Sequence, residues 1–440
     1  MAPPGPLKSD LERQYMSSTS STKSDVGTNN GTKKEIVVPQ PSSSILLISP
    51  TNQILLLHRL HTSSSFPSAH VFPGGNLDSY HESPIPSPLS PSRHLDSDVY
   101  RLCAIRECFE ECGILLARGR GTCSEDQNQD QDLRKESAAQ LIHIEEEERE
   151  QARKDVHSKK RIFGDWVTSI GAEPDIAGLI PFTRWITPSN LPRRFTTQMY
   201  IYFLPLEDSS SSTSSSSSPL TQNQTQTQKQ THTPKSDNGI EHTDAAFAHC
   251  STWLEQARKN EIILFPPQFY LMYLLAEFLV KPGVGREFSR GELEGQRREV
   301  RGFLVRDGDV DGEGGDGGRG VKWGDKVICP SPVVLGQGVG IGIGKGIGVK
   351  RADGRVVLGL DKQGPELEGS ERRGDDKRVV LVKFGKEGPR DVEVWDRREV
   401  EEEGVRGEKE RERDGDGDRE REREENLGGG GEKGGGGAKL

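Results

Sequence analysis

The run Arg106-Glu107-Cys108-Phe109-Glu110-Glu111-Cys112-Gly113-Ile114 sets three carboxylates within one short stretch. On an α-helix, which turns about 100° per residue, Glu107 and Glu111 fall about 40° apart and Glu110 about 60° to the other side. Leu102, Ile105, Phe109 and Cys112 follow a 3-4-3 spacing and point the opposite way. The pattern predicts a helix with one apolar face toward a core and one concentrated acidic face. Like charges at this spacing repel unless a cation lies among them. Carboxylate oxygens suit Mg²⁺ or Mn²⁺. A pair of glutamates on a helix is more often a plain solvated face, as Glu145 to Glu148 read in this chain. The flanking Arg106 and Gly113, with Phe72-Pro73-Gly74-Gly75 upstream, set the first run apart.

The run resembles the second half of a Nudix box, Arg-Glu-U-x-Glu-Glu-x-Gly-U, where U is a bulky aliphatic. Cys108 departs from the first U and Ile114 fits the second. The family places a Gly, five residues, a Glu and seven more residues before the Arg. Asp98 stands at that distance before Arg106, in place of the Glu, and is read as an outer-shell contributor. Gly74 and Gly75 lie further upstream, beyond a Pro- and Ser-rich insert from Tyr80 to Pro91. Three further features resemble the branch of peroxisomal CoA and acyl-CoA diphosphatases. They are His70-Val71-Phe72-Pro73-Gly74-Gly75, the segment from Trp185-Ile186-Thr187-Pro188 to Pro192-Arg193-Arg194-Phe195, and Phe265-Pro266-Pro267-Gln268-Phe269-Tyr270.

The resemblance implies an α/β/α Nudix sandwich and cleavage of CoA or acyl-CoA to 3′,5′-ADP and (acyl-)phosphopantetheine. It implies Mg²⁺ or Mn²⁺ held by Glu107, Glu110 and Glu111, with the Gly75 carbonyl as a further ligand. Arg106 would orient a box carboxylate through a charge-assisted hydrogen bond. Arg193 and Arg194 are candidates for substrate phosphates, which guanidinium groups bind bidentately, set evenly against an exposed basic loop. The general base is not fixed by the sequence. Two other readings stand beside this one: a hydrolase of ADP-ribose, NADH or a similar derivative, and a non-catalytic nucleotide-binding module. Retention of all three carboxylates weighs against the second.

Hydrophobic residues make up 31% of the chain, against about 40% in globular domains once Gly is left out. The 51 glycines concentrate toward the C-terminus. One core domain with long disordered insertions is expected. The net charge of -10 argues against a nucleic-acid surface. None of the six cysteines forms a Cys-x-x-Cys pair. Buried thiols in a reducing compartment are the expectation, ahead of a zinc site at Cys108 and Cys112. No apolar run reaches the length of a membrane span, and the N-terminus has no apolar signal region.

Residues 1–34 read as a disordered tail and 35–281 as the Nudix domain. Ser44 to Ser49 and Gln53 to His58 form an expected hairpin, followed by a strand at His70 to Phe72. Ser97 is the expected N-cap of the acidic helix and Gly113 its terminator. Segments 122–150 and 207–238 read as disordered insertions, the first with a solvated helix in its second half. Strands are expected at Ile176 to Trp185, Thr197 to Leu204 and Ala245 to Trp253, the last entering a helix through Arg258. An apolar helix runs from Pro266 to Phe278.

An accessory β-rich extension spans 282–398, with strands expected at Gly302 to Val305, Val321 to Ile328, Arg355 to Leu360, Arg378 to Phe384 and Asp391 to Trp395. Gly336 to Val349 fails the P-loop pattern, because Val339 replaces the first Gly and no Ser or Thr follows Lys345. Residues 399–440 read as a disordered charged and Gly-rich tail. It ends in Ala438-Lys439-Leu440, which resembles a type 1 peroxisomal targeting signal. That implies an import receptor as partner and the peroxisome as location, with the cytoplasm as the alternative.

Overall fold

The computed structural model describes residues 36–62, 67–120, 140–206, 234–235, 241–306, 321–333, 351 and 353–403. The expectations for 1–34, for the Ser/Thr/Gln tract, for 336–349 and for Ala438-Lys439-Leu440 fall outside them.

Strands β1 (Gln40–Ile48) and β2 (Ile54–Arg59) form the expected hairpin. β3 (His70–Val71) pairs with β2, and β4 (Gly74–Asn76) folds back onto β1. A small ribbon joins β5 (Ala117–Gly119) to β6 (Ala172–Pro174). β7 (Ile180–Ile186) and β8 (Phe195–Phe203) are antiparallel, and β8 runs parallel to β1. β9 (His242–Ala248) pairs with β2. β10 (Val327–Ile328) lies parallel to β7, so the segment beyond 281 contributes a strand to the main eight-stranded sheet. β11 (Ser331–Pro332), β12 (Val356–Leu360), β13 (Asp375–Phe384) and β14 (Pro389–Asp396) make a separate antiparallel sheet.

The helices are α1 (Asp98–Cys112), α2 (Glu146–His157), α3 (Phe163–Ser169), α4 (Cys250–Arg258), α5 (Pro266–Ala276) and α6 (Arg290–Val305). Successive strand residues face opposite sides, so a strand buried on both faces reads as a continuous apolar run. β1 shows this in Ile45-Leu46-Leu47-Ile48. Ile45 and Leu47 join one core with Tyr100, Phe109, Phe163 and Trp166 from α1 and α3. Leu46 and Ile48 join a second core with Trp253, Leu271, Leu275 and Val300 from α4, α5 and α6. Val356, Val380 and Val382 of the C-terminal sheet enter that same core. The architecture is the expected α/β/α sandwich, with the extension packed on one outer layer.

Several expectations change. The strand expected at Val321 to Ile328 is reduced to β10 after a 3-10 turn at Trp323–Asp325, and the strand expected at Ala245 to Trp253 runs His242–Ala248, with α4 already begun at Cys250. Gly302 to Val305 is the last turn of α6, not a strand. Ser289 and Glu292 form a capping box at the start of that helix. The second half of the first insertion is ordered. α2 buries Ala152 and Val156, while Glu145 to Glu148, Gln151, Lys154 and His157 are exposed.

Arg297 anchors α6 to the hairpin. It is buried and donates to Asn52 Oδ1, Leu204 O and Ser49 O, each at 2.7 Å. Removing the donor takes a partner from the buried Leu204 carbonyl and the Asn52 amide oxygen, while Ser49 O keeps the Asn52 N–H at 3.0 Å. Arg297→Met is expected to lower stability by on the order of 3 kcal/mol. Urea unfolding checks this, and a change below about 0.5 kcal/mol would deny the anchor.

Candidate active site

α1 starts at Ser97, whose backbone is extended, and ends at Gly113 in the left-handed region at φ 75°. Gly113 N–H donates to Phe109 O at 2.9 Å. Arg153 of α2 donates to the Glu110 carbonyl in the last turn of α1 at 2.9 and 3.2 Å, placing a cation where the helix dipole is negative. Phe109 stacks on Trp166 with ring centroids 4.7 Å apart, which fixes the roll of the helix about its axis. The acidic side is not a solvent face. Arg106 is 4% exposed and Glu111 5%, because β4 covers that side. Cys103, Cys108 and Cys112 are buried free thiols. No cysteine belongs to a metal-spaced group among the described residues.

Arg106 is the hub. Its Nε donates to Glu82 Oε1 at 2.6 Å, its Nη1 to Glu110 Oε1 at 2.8 Å, and its Nη2 reaches Asn76 O at 3.1 Å and Glu107 Oε1 at 2.9 Å. Burial disfavours the guanidinium charge, yet the surrounding carboxylates, Glu107 foremost, hold its pKa well above its ordinary value. Glu82 has no exposure at all, and burial raises its carboxyl pKa against the pull of Arg106. Glu82, not Asp98, is therefore the acid partnered with the box arginine. Asp98 is exposed at the far end of α1. Glu82 lies near the start of the insert from Tyr80 to Pro91, and the rest of that insert falls between Glu82 and Arg106, so counting back from Arg106 landed on the wrong residue.

Glu107 and Glu111 face the Gly74-Gly75 strand. Gly74 N–H donates to Glu111 Oε2 at 2.8 Å. A Cβ on Gly74 would stand 2.4 Å from Ser43 O, and one on Gly75 2.5 Å from the Glu107 carboxylate. Both glycines are thus required by close approach. Burial pushes the Glu107 carboxyl up to about 7. Burial, with the Glu107 charge adding to it, raises Glu111 well above the carboxylate range. Carboxyl oxygens crowded in a shielded cleft, with one backbone edge against them, fit a hard divalent cation, whose charge favours their ionised form. Glu107, Glu111 and the Gly75 carbonyl are the donors at hand. Glu110 is engaged at both oxygens, by Arg106 and by His157 Nδ1 at 3.2 Å.

Arg193 is exposed on the loop between β7 and β8. Arg194 is not available to a phosphate, which corrects the sequence expectation. Its side chain is fully buried, pairs with Glu366 and donates to Thr187 O, Pro188 O and Val37 O. Sequence reasoning also missed Glu241 and His242 at the start of β9. With Glu111 they form a group whose ligand atoms lie within 4.8 Å of one another. They sit far from the box in the chain, and only the pairing of β9 with β2 brings them near.

Gly75→Ala offers a selective test, because the atom it would strike ends a flexible side chain. The fold is expected to survive while Glu107 is displaced, with hydrolysis falling about 100-fold, the scale of a lost electrostatic contact. A thermal melt and a steady-state assay read the two effects. Retention of the wild-type rate would remove Gly75 from the site.

Residues 87–275 match the family model described as the NUDT19 Nudix domain. The chain is 27% identical over 283 residues to acyl-coenzyme A diphosphatase NUDT19 of Gallus gallus, covering 56% of this chain and 67% of that protein. It is 26% identical over 284 residues to the protein of the same name in Xenopus laevis, covering 56% and 65%. A putative nudix hydrolase 7 of Caenorhabditis elegans matches at 29% over 160 residues, 36% of this chain and 42% of that one. The chain thus spans about two thirds of the length of the two vertebrate relatives. A crystal structure of a NUDIX hydrolase from Alicyclobacillus acidocaldarius aligns over 54% of this chain and 91% of its own, at 17% identity and a TM-score of 0.34. With the Arg106 hub and the three box glutamates in place, residues 87–275 are identified as a region similar to the NUDT19 Nudix domain.

Proposed function

We propose that the chain hydrolyses the pyrophosphate bond of CoA or acyl-CoA in the presence of Mg²⁺ or Mn²⁺, giving 3′,5′-ADP and (acyl-)phosphopantetheine. The observation that carries this reading is the buried Arg106 hub, which holds Glu107 and Glu110 on α1 opposite the Gly74-Gly75 strand. The names borne by the two vertebrate relatives supply the substrate class.

Glu107, Glu111 and the Gly75 carbonyl would hold the cation. When bound, it supplies charge to offset the diphosphate and lowers the pKa of a water that attacks phosphorus. The protein's own part is preorganisation. Arg106 fixes the rotamers of Glu107 and Glu110, and Gly74 N–H fixes Glu111. Their geometry then needs no rearrangement as charge develops. Arg193 is the remaining candidate from its loop for pairing with substrate phosphates. The terminal Ala438-Lys439-Leu440 is proposed to address the chain to the peroxisome.

A hydrolysis panel over CoA, acyl-CoAs, ADP-ribose, NADH and capped RNA, with and without chelator, tests the substrate class. CoA esters or CoA are expected to lead, and preference for ADP-ribose would sink the reading. Glu110→Gln and Glu111→Gln are each expected to cost about 100-fold in kcat. A wild-type rate in Glu111→Gln at saturating Mg²⁺ would refute the metal assignment, and one in Glu110→Gln would refute the positioning role of its pair with Arg106. For location, an N-terminal fluorescent fusion is expected to give peroxisomal puncta that become diffuse when 438–440 are deleted. Puncta that persist after deletion would point to another signal.

A further inference from the structure

His242 opens β9 with its imidazole fully buried. The register between β9 and β2 shifts between His58 and Arg59, and Arg59 is the residue opposite His242. Such irregularities re-aim side chains, and here the ring faces α1. His242 Nε2 lies 3.7 Å from Glu111 Oε1. That is too long for a hydrogen bond. It is within the span of two donors that share one ion at about 2.1 Å each. The other Glu111 oxygen is held by Gly74 N–H at 2.8 Å, which leaves Oε1 as the atom on the His242 side. Glu241 adds a third donor, and the three ligand atoms lie within 4.8 Å of one another. Its side chain is 44% exposed, so the group opens to solvent on one side and an ion has an entry path.

We propose that His242, with Glu241 and Glu111, gives the metal centre a nitrogen-bearing arm, so that the site selects Mn²⁺ or another first-row transition ion over Mg²⁺. The proposal rests on the reading of the box glutamates as a metal centre. Mg²⁺ keeps oxygen ligands and water and dehydrates reluctantly. Imidazole adds affinity for first-row transition ions, and carboxylates alone discriminate less. A histidine that merely packs beside a carboxylate would leave no nitrogen on a bound ion, so the two arrangements are spectroscopically distinct.

The test uses the full chain stripped with chelator and titrated with Mn²⁺ alone. Free Mn²⁺ is followed by EPR, and the bound ion by pulsed EPR. A ¹⁴N coupling on bound Mn²⁺ in the unmutated protein is expected, with Mn²⁺ bound at least about tenfold more tightly than Mg²⁺. His242→Gln should abolish the coupling and weaken Mn²⁺ binding by about tenfold or more, with Mg²⁺ affinity little changed. Bound Mn²⁺ without nitrogen coupling, or no Mn²⁺ binding, overturns the proposal, and that readout needs no variant to fold. The substrate reading fails separately. Nitrogen-coupled Mn²⁺ on a protein that hydrolyses no CoA compound keeps this arm and discards that substrate. Metal-dependent acyl-CoA hydrolysis without nitrogen coupling does the reverse.

Discussion

One buried guanidinium organises this site. Arg106 sits 4% exposed among Glu82, Glu107 and Glu110, with Glu111 one turn along α1. In such shielding a charge must be paired and hydrogen-bonded to persist. Arg106 meets that demand with three carboxylates and the Asn76 carbonyl, and so ties α1, β4 and the start of the insert to one point. The same geometry leaves the cluster under-neutralised. Three carboxylates face one guanidinium, while Glu111 accepts from Gly74 N–H with Arg59 as its nearby cation, and burial is the first cause of the raised Glu107 and Glu111 carboxyls. A divalent cation relieves the shortfall without disturbing the packing that created it. Stability and chemistry thus draw on one arrangement: the hub is satisfied structurally and remains electrostatically short of positive charge.

The local features of the sequence were readable because each rests on short-range physics. The β1–β2 hairpin follows from two apolar runs around a turn. The limits of α1 follow from Ser97 and Gly113, and the start of α5 from Pro266. What failed depended on distance along the chain. A fixed count back from Arg106 selected Asp98, because an insert of unknown position makes counting meaningless; burial and pairing select Glu82 instead. The Glu145 to Glu148 run suggested a solvated helix, and those residues are exposed. Further along α2, Ala152 and Val156 pack inward, while Arg153 and His157 serve the end of α1 and Glu110. His242 carried no local signal at all. A lone histidine at a strand start acquires meaning only once β9 pairs with β2.

The C-terminal extension bears on the site through what it removes from it. The basic pair Arg193-Arg194 looks from sequence like a phosphate clamp. Glu366 of the extension captures Arg194, whose remaining bonds go to carbonyls of its own loop and of Val37. Arg372 reaches the His94 carbonyl just after the insert, and Tyr270 of α5 donates to Asp375 at the start of β13. β10 meanwhile joins the main sheet beside β7. These contacts fix the β7–β8 loop and the segment just after the insert from outside the box. An arginine held this way cannot exchange its carbonyl partners for a phosphate without leaving buried acceptors bare, a cost of about 1–3 kcal/mol for each. On the proposed reading, positive charge for a diphosphate comes from exposed groups such as Arg193 and from the cation. That places the weight of substrate neutralisation on the cation, and makes its identity, oxygen-bound or nitrogen-bound, a determinant of how the enzyme works.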